Sequence, residues 1–512
     1  MLICYYVVGA TRARKWQWVV LLAGSMVFYL CSGWQNLFFI ILTSASTYGI
    51  GLLYARIDER AKQLRAQAGD RSEKKAIKKR AKHQKWLWLL AVMFLNFGVL
   101  GYIKYWNVFL AQIGMGDSFL ASNILLPLGI SFYTFQSISY CIDCYNGKYP
   151  PERNYARYLL YVSFFPQLIQ GPINRFNDMV TQLYEVHRPN LHEARAALLL
   201  IGYGMLKKFV MADVLATTIS HSLDTVDAST PGSVIVFGIV LYCIQQYGDF
   251  SGGIDMVRGV SQLFGIKMLD NFRQPYFSTS LSDFWTRWHI TLGSWMRDYV
   301  FYPLAVRPSM LKLNTWGTKH LGKHVGRTLS ACIANIIVFF LVGLWHGAET
   351  HYILWGLYNG VVIAAADMAR PLFAWLTGKT HVNVKSAPYH VFAIVRTFLL
   401  VCIGRYFDRL QDPASLATGF YNTFFNFDPG NFLTAMRMHS TANLVPCLVI
   451  AAVAVIIVFI VSFMKERGVD VNERILAANP VLRIVLYSFV MALVFFSFAI
   501  AEQGGGFLYA NF

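Results

Sequence analysis

The sequence predicts an all-α polytopic integral membrane protein. The bundle would hold about 11–13 membrane segments, where a full crossing takes about 20 apolar residues and the rest are short or re-entrant. Three observations carry that prediction. Of 512 residues, 56% are hydrophobic, 16% aromatic and only 14% charged, against about a quarter charged in a soluble globular protein. The apolar runs recur along the whole chain rather than in one domain. The net charge of +18 is concentrated, with twelve Lys/Arg against four Asp/Glu in residues 56–85. A soluble fold, a disordered chain and a disulfide scaffold are thereby excluded. The charge placement marks a cytoplasmic segment under the positive-inside rule, and argues against a nucleic-acid surface.

The elements follow in order. Leu2–Ala10 is too short to cross a bilayer, so a longer native N-terminus is expected. Arg12, Arg14 and Lys15 precede an apolar run at Trp16–Cys31, and a second run at Leu37–Tyr54 brings the chain back. Residues 1–54 therefore read as an N-terminal transmembrane hairpin. Residues 55–85 read as a basic cytoplasmic loop or amphipathic helix. Residues 86–501 read as the helical core, with spans at 86–113, 122–142, 155–170, 194–219, 233–248, 290–306, 328–346, 350–376, 388–407, 443–464 and 481–501. Breaks are expected at Pro127-Leu128-Gly129, Pro166, Gly171-Pro172 and Gly252-Gly253; inside a membrane, broken backbone is tolerated only beside protein or a wet cavity. Residues 502–512 read as a glycine-rich hinge and an aromatic tail. Cys141 and Cys144 have redox spacing but lie in an apolar stretch, and read as packing.

Ionisable residues inside a membrane mark function by default. His346 sits in Gly343-Leu344-Trp345-His346-Gly347-Ala348 at the end of an apolar run. It is either a base with room for substrate beside its ring, or a histidine bonded to a neighbouring helix. The segment Asp283–Tyr299 gathers Trp285, Arg287, Trp288, His289, Trp295 and Arg297. It is either an interfacial belt or a donor funnel, with Arg287 and Arg297 attracting phosphate and Trp285 and Trp288 lining an apolar tunnel. Asp249 and Asp255 follow a span, in a re-entrant turn or a solvated loop. No phosphate cradle, nucleophile elbow or metal-ligand spacing appears. Membrane histidines with no carboxylate partner evident from spacing suit acyl transfer by a general base.

These residues carry a resemblance. Pro166-Gln167-Leu168-Ile169-Gln170-Gly171-Pro172-Ile173 resembles a motif of the membrane-bound O-acyltransferase (MBOAT) family. Asp249–Gly252, Asn271–Tyr276, Phe284–Leu292, Arg297–Leu304 and Gly343–Ala348 match in the family's order. The chain is similar to the bacterial alginate O-acetyltransferase branch over roughly residues 15–512. Its short start and the basic segment Asn314–Arg327 depart from that branch. The resemblance implies a bundle crossed by a tunnel, with His346 catalytic and His289 a second characteristic histidine on the donor side. Trp285, Arg287, Trp288, Trp345 and Asp249 would line the route. It implies no bound cofactor or metal, with acetyl-CoA or another acyl thioester as donor substrate. Implied partners are membrane lipid, an acyl-CoA or acyl-carrier donor, an extracytoplasmic SGNH-type transferase and a polysaccharide acceptor, with no nucleic acid; the setting is a bacterial plasma membrane. D-alanyl transfer to teichoic acid is the alternative within the family, and a lipid or polysaccharide transporter the alternative outside it. The tail's Tyr509 is a candidate acyl carrier, with an interfacial aromatic anchor as the competing reading.

Overall fold

The computed structural model describes residues 1–115, 126–168, 170–438, 444–501 and Gly506. Among these the chain is helical, with no β-strand and one isolated antiparallel bridge, Phe272 to Trp288. The long helices are α1 (Asn36–Gln67), α2 (Arg71–Gln112), α3 (Gly232–Leu263), α4 (Lys323–His346), α5 (Thr350–Met368), α6 (Ala387–Arg409), α7 (Leu444–Glu466) and α8 (Pro480–Ile500). Seven of them are long and apolar enough to cross a membrane, and α5 joins them if it is counted with Arg370–Lys379, beyond a 54° bend. The protein is a multi-pass membrane helical bundle.

Two compact units divide the chain: Met1–Ala197 with Val257–Leu269, and Leu198–Met256 with Asp270–Phe512. In the first, α1 and α2 carry the basic segment 55–85 as their own extensions. They break at Ala68-Gly69-Asp70, where the Asp70 carboxylate accepts the Ser72 N–H at 3.2 Å and caps α2. Lys85 ties the pair through Asp58 at 2.9 Å. The core of this unit is aromatic, with Tyr140, Tyr158, Tyr161 and Phe176 in mutual ring contact. Gln167 of the Pro166–Ile173 motif is an internal brace. Its amide donates to the Tyr161 carbonyl at 2.9 Å and to Gln136 at 3.1 Å, and its oxygen accepts from Asn174 at 3.1 Å. Cys141 and Cys144 are buried as packing side chains.

Several expected spans are divided. The run at 155–170 is two helices, Tyr155–Ser163 and Phe165–Leu168, because Pro166 cannot donate to a continuous ladder. The run at 290–306 is three short elements, Ile290–Met296, Arg297–Phe301 and Tyr302–Ala305. The break expected at Gly252-Gly253 is absent: α3 runs through it. These glycines serve close packing instead. A Cβ on Gly252 would stand 2.7 Å from the Gly204 carbonyl oxygen and 2.8 Å from the Lys208 nitrogen, so two helix backbones touch there. Asp249 is therefore a helix-interior residue, neither in a turn nor in a solvated loop.

Candidate active site

All of the described candidate side chains lie in the second unit. His289 follows a short ribbon in which the Arg273 N–H donates to the Arg287 carbonyl at 2.9 Å and the Ile290 N–H to the Asn271 carbonyl at 3.0 Å. His289 takes a left-handed backbone, φ 48°, which costs an L-residue about 1–2 kcal/mol. Such strain persists where surrounding bonds over-determine it. Here Asn271 supplies them: its Oδ1 accepts from the Thr291 N–H at 3.0 Å and the Thr291 hydroxyl at 2.9 Å, and faces His289 Nδ1 at 3.2 Å. An oxygen already accepting twice calls for a proton on Nδ1, which leaves the lone pair on Nε2. Phe250 packs edge-on against the imidazole, ring centroids 4.8 Å apart.

His346 ends α4 and is 8% exposed. Three aromatic rings wall it: Trp345 at 4.7 Å, Trp355 edge-on at 5.1 Å and Tyr352 stacked at 5.9 Å. Trp345 also meets His289, ring centroids 6.1 Å apart, so the two histidines share one tryptophan. The flanking glycines do not leave space for substrate beside the imidazole, as the sequence suggested. A Cβ on Gly347 would stand 2.4 Å from the Tyr352 ring, and one on Gly343 2.5 Å from the Tyr352 carbonyl oxygen. They let α4 and α5 close on each other, which presses Tyr352 onto His346.

Two cavities are lined by members of this aromatic cluster, one by His289 and the other by Tyr352. One of about 320 Å³ is mostly apolar and is lined by His289, Trp285, Asn335, Val338, Phe339 and Val342. Another of about 320 Å³ is polar and is lined by Lys208, Asp213, Asp249, Tyr352, Asp408 and Arg409. Along α4 from Lys323, Asn335–Val342 line the apolar cavity and Trp345 and His346 follow; the polar cavity is lined by Tyr352 of α5, whose ring stacks on His346, and neither Trp345 nor His346 lines either cavity. At about 1.5 Å per residue, Asn335 lies about 16 Å before His346.

The remaining predicted residues are distributed around this axis. Trp285 faces the apolar cavity; its indole N–H donates to Asn359 at 3.0 Å, and its ring touches Trp355 at 5.5 Å. Trp288 is buried among Phe272, Phe284 and Tyr276, with the Arg405 guanidinium 5.1 Å from its ring, and lines neither cavity. Arg287 is committed to two carboxylates, Asp283 at 2.9 Å and Glu466 at 2.8 Å, and joins Leu281–Arg287 to the end of α7. Asp249 is paired with Lys208 at 2.5 Å, and the same ammonium reaches Asp213 at 2.8 Å and the Gly506 carbonyl at 3.1 Å. Tyr509 lies outside the described residues.

Sequence reasoning missed Lys207, Lys208, Asn271, Arg405 and Asp408. Lys207 pairs with Asp255 at 2.6 Å and donates to Ser251 at 3.0 Å. The consecutive lysines sit on a π-helical stretch, Leu206–Asp213, a widened turn frequent at functional sites. Asp408 accepts from Arg405 at 3.0 Å, Gln246 at 2.6 Å and Tyr242 at 3.3 Å. The signal was there for the lysines, two cations within an apolar run; for Asn271 only proximity in space reveals the role.

Comparison with known proteins places the chain in a family. A model of the membrane-bound O-acyltransferase family matches residues 151–407. The chain is 30% identical to the probable alginate O-acetylase AlgI of Pseudomonas syringae over 93% of its own length and 82% of that protein's. It is 33% identical to the peptidoglycan O-acetyltransferase of Helicobacter pylori over 54% of this chain and 55% of the relative. To the teichoic acid D-alanyltransferase of Bacillus subtilis it is 29% identical, over 56% and 69% respectively.

Proposed function

The chain belongs to the membrane-bound O-acyltransferase family, and we propose that it moves an acetyl group from a cytoplasmic thioester, acetyl-CoA, to an extracytoplasmic polysaccharide. It is a multi-pass membrane acyltransferase; donor, acceptor and residue roles are the proposal. One observation carries it: His289 lines the apolar cavity, Tyr352 lines the polar one, and Trp345 and His346 touch those two side chains. The apolar cavity suits the thin arm of a thioester, whose charged remainder stays in the cytoplasm. The polar cavity suits a hydroxyl acceptor.

Charge supports that orientation. The Lys323 end of α4 adjoins the Asp367 end of α5, where the His324 ring contacts the Asp367 carbonyl at 2.9 Å. In the sequence flanking α4 and α5 stand Arg307, Lys312, Lys319, Arg327, Arg370 and Lys379, the positive-inside signature. The polar cavity adjoins Asp224, which pairs with Arg409. By the same rule residues 55–85 face the cytoplasm.

In this reading His346 takes the proton of the acceptor hydroxyl as its oxygen attacks the thioester carbonyl. The thiolate leaves and receives a proton in turn. His289, fixed by Asn271, presents Nε2 on the donor side. The enclosed aromatic walls keep out water that would hydrolyse the thioester. An SGNH-type extracytoplasmic transferase would pass the group to the polymer, and Tyr509 would carry it to that partner. The longer alignment with the alginate O-acetylase relative favours acetyl over D-alanine. The test is to supply the purified protein with labelled acetyl-CoA or labelled D-alanyl carrier protein. Label transfer from acetyl-CoA alone, lost in His346→Ala, supports the proposal. Transfer only from the D-alanyl carrier overturns the donor.

A further inference from the structure

The part of the first unit with the densest positive charge encloses a groove of about 700 Å³ between α1 and α2. Along α1, Leu53, Arg56 and Arg60 recur at three- and four-residue spacing and share one face. From α2, Arg80, Leu87 and Trp88 line the same groove. The lining combines apolar and basic side chains, with Ile57, Leu64 and Ile77 among the arginines. Leu53, Leu87 and Trp88 belong to the apolar stretches of the two helices, and the three arginines sit where those stretches give way to charge. A tryptophan at that level is the usual membrane–water marker.

The electrostatics lack an anion. Among the described residues, no Asp or Glu lines the groove. The adjacent carboxylate of Asp58 is engaged by Lys85 at 2.9 Å, and that ammonium also sits 6.0 Å from the Tyr54 and Tyr145 rings. Arg56 and Arg60 are like charges four residues apart, a mutually repelling arrangement on a helix, and Arg80 adds a third across the groove. We propose that this groove is a binding site for an anionic phospholipid. Its headgroup phosphate lies among Arg56, Arg60 and Arg80, where guanidinium–phosphate geometry is bidentate. Its acyl chains lie along Leu53, Leu87 and Trp88. A soluble phosphate compound would leave that apolar floor uncovered, and a zwitterionic lipid would not neutralise three guanidinium groups.

Trp88 reports on the site directly. In detergent, dibrominated phosphatidylglycerol and dibrominated phosphatidylcholine are titrated against the full-length protein, with Trp88→Phe defining the quenching that Trp88 contributes. At about 1 kcal/mol per basic residue near a membrane surface, three arginines give phosphatidylglycerol a preference on the order of 10²-fold. The triple variant Arg56→Gln/Arg60→Gln/Arg80→Gln should abolish that preference. Lys74→Gln/Lys75→Gln/Lys78→Gln removes the same charge from residues outside the groove and should preserve it. Should the triple variant fold poorly, each single arginine substitution should reduce the preference several-fold. Equal quenching by both lipids overturns the proposal. So does equal loss in the two triple variants, which would mean diffuse attraction to the basic segment. Displacement of the lipid by excess inorganic phosphate or free coenzyme A also overturns it, by showing a soluble-anion site.

Discussion

The two cavities lined by His289 and by Tyr352, the side chains that Trp345 and His346 touch, have similar volumes and contrasting linings. One is walled mainly by apolar side chains such as Trp285, Phe339 and Val342, with His289, Asn335 and Arg297 among its polar lining. The other is walled by Lys208, Asp213, Asp249, Asp408 and Arg409, charges held in pairs. A buried apolar wall leaves a site ready for a chain with few polar atoms. A buried ionic wall stands only while every charge keeps its partner, because an uncompensated charge in such surroundings is strongly destabilising. The contrast therefore predicts different consequences for substitutions on each side.

The largest effect belongs to His346. His346→Ala should lower acetyl transfer by about 10²–10⁴ while the protein stays folded, read as turnover against circular dichroism and gel-filtration profile. Wild-type turnover in a folded variant would remove His346 from the chemistry and leave the cavities without a common centre.

On the polar side, Lys208→Met strands Asp249 and Asp213 and should cost about 3–5 kcal/mol, seen as a fall in the detergent melting temperature. Adding Asp249→Asn should restore part of it, since the stranded charge is gone. An unchanged melting temperature in Lys208→Met would show that the ionic wall is not structural. On the apolar side, Asn271→Ala frees the His289 ring and should reduce kcat/KM for the donor by about tenfold, below the 10²–10⁴ of losing an acid–base group itself. Asn271→Asp keeps an acceptor for Nδ1–H and should retain more activity than Asn271→Ala. Equal loss in both would mean that Asn271 holds only the ribbon.

The smallest effect separates two roles for Arg287. Its guanidinium is matched by Asp283 and Glu466, partly exposed groups whose pairing contributes at most about 1 kcal/mol. Arg287→Gln should thus change the donor KM by less than about threefold. A tenfold rise would restore Arg287 as the attractor of a phosphorylated donor and make the donor entrance charged.

Much of this molecule was legible without coordinates. Composition fixes the solvent, since a chain with so few charges has to satisfy its backbone in helices within a bilayer. The ends of α4, α6, α7 and α8 fall within a few residues of the expected runs, because an apolar stretch between polar ends has few other solutions. His289 and His346 were singled out because an ionisable group in an apolar run is costly and rarely idle. What the sequence misread were short-range signals with more than one tertiary use. The glycines at 252, 343 and 347 looked like a break and an open space, yet they are contact points, because a missing side chain serves close approach as well as flexibility. Asp249 looked solvated because its partner Lys208 lies 41 residues earlier in the chain. Separation along the chain likewise hid the Asn271 brace on His289, the Arg405–Trp288 contact and the Lys207–Asp255 pair. Local pattern determined most of the helical segments and which of them are apolar enough to cross a membrane. Only packing decided which side chains meet, because meeting depends on how helices far apart in sequence approach one another, and no local periodicity encodes that.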